Sequence, residues 1–286
     1  MTTRRFLRNA LRWIAALVGA VLVVMLIRGF CVESYRISTG AMEEALHKGD
    51  YILVNKLPEW RMPERGKVML FTSPLAKDSV DAPLFISRCI GMPGDTILVD
   101  EEGYTVNGVK MPRSPRSLRT YFVTKDAWEV FHASLQQLDL PERDLKEERF
   151  GYTLSLTTFE EYLLREELPE EVSRHFIGER TPAYQLIVPK KDRAYALDAA
   201  SLTVCKEIIL DETGGSVYSR EGKFYRDGQE VSFFFFHQDY YWMLSDNANE
   251  GVDSRHLGFI PADRMVGTAW CCWYSPEDRR VFKPVN

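Results

Sequence analysis

The sequence predicts a mainly β protein with an apolar helix at its N-terminus and an α/β insertion in its middle. Short apolar or alternating runs, each closed by Gly, Pro or Asp, recur on both sides of the middle, as strands separated by tight turns do. An uncharged run of 15 residues, 13–27, follows a group of arginines. From about residue 121 the apolar spacing turns from strand-like to helical, and near 185 it turns back.

Residues 1–12 carry Arg4, Arg5, Arg8 and Arg12 and no acid. The run that follows is shorter than the roughly 20 residues needed to cross a bilayer. Arg28 can snorkel to the interface, however, which extends the usable span to Val32. No small-x-small cleavage site follows the run, Phe30-Cys31 is not a lipobox, and the segment lacks the polar face of a core helix. The expectation is an uncleaved anchor over 13–32. Arginines on its N-terminal side place that end in the cytoplasm and the bulk of the chain outside.

Beyond the anchor, residues 51–54, 68–71, 85–90 and 96–99 read as strands, and Asn107-Gly108 as a hairpin turn, since both residues tolerate positive φ. Ala127, Trp128, Val130, Phe131, Leu135 and Leu138 have helical spacing, and 159–168 reads as a second, Glu-rich helix. Strand character resumes at 184–188, a short helix is expected at 202–210, and Gly214-Gly215 turns the chain. Phe233–Phe236 reads first as a buried strand and second as a peptide-binding wall. The last strand, 266–274, puts Trp270 and Trp273 in the core by default.

With 286 residues and 45% apolar content the chain can bury one large core or two smaller ones. A net charge of −5 and a pI near 5.7 exclude a nucleic-acid partner. The charge is uneven: residues 124–180 hold 14 Asp/Glu against 7 Lys/Arg, a composition read as a solvated surface before a partner-binding one. Cys31, Cys89, Cys205, Cys271 and Cys272 form no disulfide pattern. His47, His132, His175, His237 and His256 are scattered, so neither a metal nor any other cofactor is expected.

Four ordered segments carry the chemistry. The first is Ile37-Ser38-Thr39-Gly40-Ala41-Met42; the second, after Leu46, is Gly49-Asp50-Tyr51-Ile52-Leu53-Val54-Asn55-Lys56. The third is Phe85-Ile86-Ser87-Arg88-Cys89-Ile90-Gly91-Met92-Pro93-Gly94-Asp95, echoed by Asn107-Gly108. The fourth is Ser245-Asp246-Asn247-Ala248-Asn249-Glu250-Gly251-Val252-Asp253-Ser254-Arg255, followed by Gly258-Phe259-Ile260-Pro261. Together they resemble the signature boxes of the type I signal peptidases, which implies a signal-peptidase-type complex β fold. That family cuts signal peptides with a serine in the first box and a lysine general base in the third. By the resemblance, the serine's place is Ala41 and the lysine's is Ser87.

A serine hydroxyl needs an adjacent base, and a lysine serves only if burial keeps it neutral. Alanine at 41 closes the covalent route, and serine at 87 leaves nothing to take the proton. What an oxyanion hole and positioning alone supply is on the order of 10³–10⁴-fold over water. The resemblance also makes Gly251 the place of a serine that orients the lysine, and Ser245 and Ala248 the places of a glycine and an arginine. Arg88, Asp253, Ser254 and Arg255 match the family and are expected to form an ion-paired scaffold. Thr39 sits where the family has an oxyanion-hole serine, beside the Ala41 N–H.

The resemblance implies a groove lined by Ile37, Ala41, Met42 and Ile90, in which an extended peptide adds as a strand. The chain then divides into a basic cytoplasmic N-terminus (1–12), an anchor (13–32), an extracytoplasmic β core (33–120 and 186–286) and an acidic insertion (121–185). It is expected in the inner (cytoplasmic) membrane as a single-pass protein with its main domain periplasmic. The implied partners are signal peptides of exported proteins, the lipid bilayer and an active signal peptidase. Two functions follow: a catalytically degenerate member of the export machinery, or a serine endopeptidase in which Ala41 is an engineered change or another nucleophile is used. Natural erosion accounts for Ser87, Ala248 and Gly251 as well as Ala41; a single engineered change does not.

Overall fold

Along Val68–Thr72 the side chains divide by strict alternation, because successive residues of a strand point to opposite faces. Val68 and Leu70 enter one core with Ile37, Met42, Leu46, Ile52, Val54 and Ile86. Met69 and Phe71 enter another with Cys89, Tyr241, Met243, Ile260 and Met265. This doubly buried strand lies inside a sheet of the order Val32–Arg36, Tyr51–Asn55, Met265–Tyr274, Val68–Thr72, Leu84–Gly91, Tyr240–Leu244, Ile260–Pro261, with Lys283–Pro284 beside Met265–Tyr274. Every pairing is antiparallel, and register shifts interrupt three of them. Such bulges strengthen the local twist and curl the sheet. The computed structural model describes residues 12–25, 31–43, 45–76, 82–100, 103–111, 118–178, 183–197, 199–247, 250–277, 279 and 281–285, those of 199–203 by backbone alone.

A second sheet joins Tyr184–Ile187, Thr96–Asp100, Gly103–Val106 and Val109–Lys110. Asn107 (φ 51°) and Gly108 (φ 79°) form its tight turn, with the positive φ at both positions that the Asn-Gly pair predicts. This sheet packs with the helix Ala199–Glu212 and the meander Val217–Arg220, Lys223–Arg226 and Gln229–Val231 around Ile97, Ile209, Phe224, Phe236, Trp242 and Phe259.

Residues 118–178 build a core of their own. Four strands in the order Phe176–Gly178, Leu118–Thr124, Gly151–Thr157, Arg143–Glu147 carry the helices Lys125–Gln137 and Thr158–Glu167 over Tyr121, Phe131, Leu135, Leu154, Leu156 and Leu164. The Glu-rich helix starts on a capping box: Thr157 Oγ1 accepts from Glu160 N at 3.2 Å, and Glu160 Oε2 accepts from Thr157 N at 2.8 Å. Leu118 bridges to Asn247, which ties this unit to the fourth signature segment.

The chain is mainly β, as expected, with several local differences. The helix predicted at 202–210 runs over Ala199–Glu212. Phe233–Phe236 is not a uniformly buried run: Phe234 and Phe236 enter the core with Ile97 and Trp242, while Phe233 and Phe235 alternate to the other side and are exposed. Trp270, assigned to the core, is 55% exposed on the outer face of Met265–Tyr274. Residues 12–25 are helical and exposed at every position. Among the described residues no helix is long and apolar enough to cross a membrane. The anchor expected over 13–32 falls partly on 26–30, outside the described residues, and Val32 already belongs to the first strand.

Candidate functional site

The first signature segment leaves the strand Val32–Arg36 and is pinned at once to the second. Ile37 N donates to Asp50 O and Gly49 N to Ile37 O, both at 2.8 Å. Two tight turns follow, with Glu43 N on Gly40 O at 3.1 Å and Leu46 N on Met42 O at 2.7 Å. Met42 and Leu46 plug this loop into the core beneath it. Ser38 and Thr39 remain exposed, whereas Ala41 is only 4% exposed. Its carbonyl accepts from Asn247 N at 3.0 Å, so the fourth segment lies directly on the first.

Ser87 sits on Leu84–Gly91, wholly buried. Its hydroxyl donates to Ile86 O at 2.8 Å and lies 3.2 Å from Ser245 Oγ. Among the described residues neither hydroxyl is bonded to an amine, an imidazole or a carboxylate, the groups that could activate it. The arrangement is a satisfied pair of buried hydroxyls and not a nucleophile beside a base.

Gly251 explains why Ser245 can stand there. A Cβ on Gly251 would lie 2.9 Å from Asn247 O and closer still to the Cβ and Oγ of Ser245. The glycine is therefore fixed by volume: the Ser245 side chain fills the space that a side chain at 251 would need. The pattern that this segment resembles has glycine at 245 and serine at 251; here the two residue types stand the other way round, and the hydroxyl reaches Ser87 from 245.

The support around this pair is dense. Arg88 grips Asp246 through Nε at 2.9 Å and Nη2 at 2.6 Å, and donates through Nη1 to Gly66 O at 2.8 Å. Asp253, fully buried, accepts from Ser245 N at 2.8 Å, Arg255 N at 3.0 Å and the Arg255 guanidinium at 3.0 and 2.7 Å. Ser254 Oγ accepts from Met243 N at 2.9 Å. These bonds hold the fourth segment against the strands that carry the third.

Of the residues singled out in the sequence, Ile37 and Met42 share one core, while Ile90 is buried in another, with Ile97 and Trp242. Ala248 lies outside the described residues. Two participants were not anticipated. Asp246 is the partner of Arg88, and Glu250 reaches back to the first segment, accepting from Gly40 N at 2.9 Å. The Gly-for-Ser and Ser-for-Gly departures within one box were the available signal for the packing exchange; nothing in the sequence marked Glu250. No group of three or more His, Cys, Asp or Glu suited to a metal occurs among the described residues.

Comparison with known proteins agrees with the signature segments. The sequence profile of the family described as signal peptidase, peptidase S26, matches residues 10–152 and 195–274. The chain is 27% identical over 261 residues to signal peptidase I of Aquifex aeolicus, covering 89% of this chain and 80% of that one. It is 25% identical over 282 residues to signal peptidase I of Buchnera aphidicola, covering 94% and 76%. To signal peptidase I of Pseudomonas aeruginosa it is 24% identical over 283 residues, covering 91% and 70%.

Proposed function

From the premise that this chain belongs to the signal peptidase family, peptidase S26, we propose that it serves signal-peptide processing as a member that holds peptides without cutting them. The observation that carries this reading is the Ser87–Ser245 hydroxyl pair at the position that the resemblance gives to the lysine, together with Ala41 at the position that it gives to the nucleophile. Acyl transfer needs a nucleophile and a group to deprotonate it, and neither is present at these two positions. Strand addition needs only backbone donors, acceptors and shallow pockets. Ser38 and Thr39 are the exposed residues of the first segment that would offer them, while the main-chain groups of Ile37 and the Ala41 carbonyl are held by the second and fourth segments, and the pairs Arg88–Asp246 and Asp253–Arg255 brace the fourth segment.

The protein acts at a bilayer surface, anchored through its N-terminal segment. Support comes from the exposed helix 12–25 behind its basic flank, and from the aromatic and apolar side chains of Trp60, Met62 and Trp270. The helix Pro58–Arg61 packs on Met265–Tyr274 through the bond from Thr268 Oγ1 to Trp60 O, which brings these exposed groups together. Aromatic rings are favoured at membrane interfaces.

The test uses the full-length chain in detergent with a preprotein. The preprotein is expected to remain uncut over hours, while a photocrosslinker placed at Thr39 captures its signal peptide. Replacing the small residue at the cut site by a bulky one is expected to abolish capture. Cleavage by the unaltered protein would instead establish an active endopeptidase with a different nucleophile.

A further inference from the structure

We propose that the Glu250 carboxylate is a resident, displaceable occupant of the main-chain donor at Gly40, covering the seat at Ala41 until an incoming peptide carbonyl takes the same N–H. This rests on the peptide-binding reading above and adds how the cleft is kept shut. The contact joins positions 210 residues apart in the chain: Gly40 N donates to Glu250 Oε2 at 2.9 Å. It is also a close one. A Cβ on Gly40 would lie 3.1 Å from Glu250 Cδ, 3.0 Å from Glu43 Oε2, and nearer still to Glu250 Oε2. Only glycine lets the carboxylate settle over the backbone at this point.

Burial changes where that carboxylate sits. Ser38 and Thr39 are exposed, but from Gly40 to Met42 the chain is covered. Asn247 N on Ala41 O at 3.0 Å places Asn247 against the same loop, and Gly251 N on Asn247 O at 3.1 Å ties Gly251 to it. A main-chain N–H at a peptide-binding segment is the donor that strand addition uses. Here an acceptor from the protein's own chain already holds it.

The occupant is poised to leave. Glu43 and Glu250 converge on Gly40, so two like charges meet at one spot, and His47 Nδ1 lies 3.4 Å from Glu43 Oε1. Residue 250 itself is exposed and its departing carboxylate is taken up by water. A peptide carbonyl is neutral. Exchanging it for the carboxylate keeps the hydrogen bond at Gly40 and removes the repulsion from Glu43.

The experiment needs no peptide in its first arm. Ala41→Cys in the full-length protein in detergent introduces a thiol at the covered seat, and mass spectrometry follows its alkylation by iodoacetamide against the five native cysteines. Adding Glu250→Ala is expected to speed that alkylation about tenfold, the equivalent of one lost hydrogen bond to a charged group. Adding Glu43→Gln is expected to slow it, and Glu250→Gln to fall between. Hydrogen exchange at the Gly40 amide, read in the protein without the cysteine, is expected to accelerate in Glu250→Ala alone, which guards against a folding defect in the cysteine variant. Equal alkylation and equal exchange with and without Glu250 would overturn the proposal. In the second arm an extended peptide with alanines at the first and third positions before its cut site is added. Protection of the thiol supports both readings; accelerated labelling that the peptide cannot slow leaves Glu250 as the cover and overturns peptide binding.

Discussion

Serine at 245 and glycine at 251 are read as one exchange, and a double-mutant cycle tests it. Gly251→Ser in the unaltered background drives a Cβ to within 2.9 Å of Asn247 O and closer to Ser245. Ordinary carbon contacts begin at about 3.5 Å, so Ser245 and its neighbours must retreat by more than about 0.6 Å. Ser245 cannot retreat freely, because its N–H is held by buried Asp253 and its hydroxyl by Ser87. Overpacking of this kind costs about 1–3 kcal/mol. Ser245→Gly alone gives up the hydroxyl contact and gains a flexible residue, for about 1–2 kcal/mol together. The double variant restores the volume and the hydroxyl, so the two costs are expected to cancel in part, with a coupling of about 1–3 kcal/mol. Thermal unfolding in detergent, followed by the fluorescence of the six tryptophans, reads each corner of the cycle. Additive losses would refute the exchange. The same geometry sets a condition on restoring chemistry: Ala41→Ser with Ser87→Lys is expected to stay inactive on a preprotein. Cleavage should require Ser245→Gly and Gly251→Ser as well, because the lysine needs the volume that Ser245 now fills.

Other consequences follow from the same contacts. Arg88→Met leaves Asp246, whose side chain is only 10% exposed, without its bidentate partner; a loss of about 3 kcal/mol is expected in chemical denaturation, most of it regained with Asp246→Leu added. At Glu160, burial favours the neutral acid, but Arg143 at 2.7 Å and the Thr157 N–H outweigh it and hold the carboxyl below its ordinary value of 4.5. Its contribution to stability is therefore present above that value and lost as pH falls through the lower one. Glu160→Gln should cost about 1–2 kcal/mol at pH 7 and flatten the acid limb, read by hydrogen exchange over 118–178. Burial pushes the Cys89 thiol up to about 12, so iodoacetamide at pH 8 is expected to leave it intact until the protein unfolds, while the half-buried Cys31 reacts.

Much of the fold was legible because local rules and tertiary demands agreed. The strands at Tyr51–Asn55, Val68–Thr72 and Thr96–Asp100 differ from the sequence reading by one residue at one end and Leu84–Gly91 by one at each end, as runs bounded by Asp, Gly and Pro allow little slippage. Outward-facing aromatics were not legible. Phe233 and Phe235 have the composition of a core strand, but they lie on the face of the two-stranded sheet with Ala194–Ala196 that is turned away from the core holding Phe234. At the site the departures at 41, 87, 245 and 251 could be read from the sequence, since each is a change of residue type against the pattern that the signature segments resemble. The new contacts could not, because Ser245–Ser87 and Glu250–Gly40 join residues 158 and 210 positions apart, and one sequence gives no measure of that proximity.

The proposed reading, in which the scaffold is kept and the reacting groups are gone, has a stability argument behind it. Arg88–Asp246 and the four donors on Asp253 stabilise the fold whether or not anything is cut, so their removal leaves buried charges unpaired. A lysine at the wholly buried position 87 works against the fold, because burial penalises its charged form, and function alone repays that cost. Serine there satisfies its hydroxyl on Ile86 O and relieves the penalty. Ser87→Lys in the unaltered background should therefore destabilise the protein by about 5 kcal/mol at pH 7. The sign with pH is fixed: the unfolded lysine stays protonated up to about 10.4 while the buried one is neutral, so the deficit should shrink by about 1.4 kcal/mol per pH unit between pH 7 and 10. Denaturation curves of both proteins at pH 7, 8.5 and 10 measure it. A deficit that stays constant over that range would mean that position 87 accepts a charged lysine without penalty, and the loss of the base would then need a cause other than the stability of the fold.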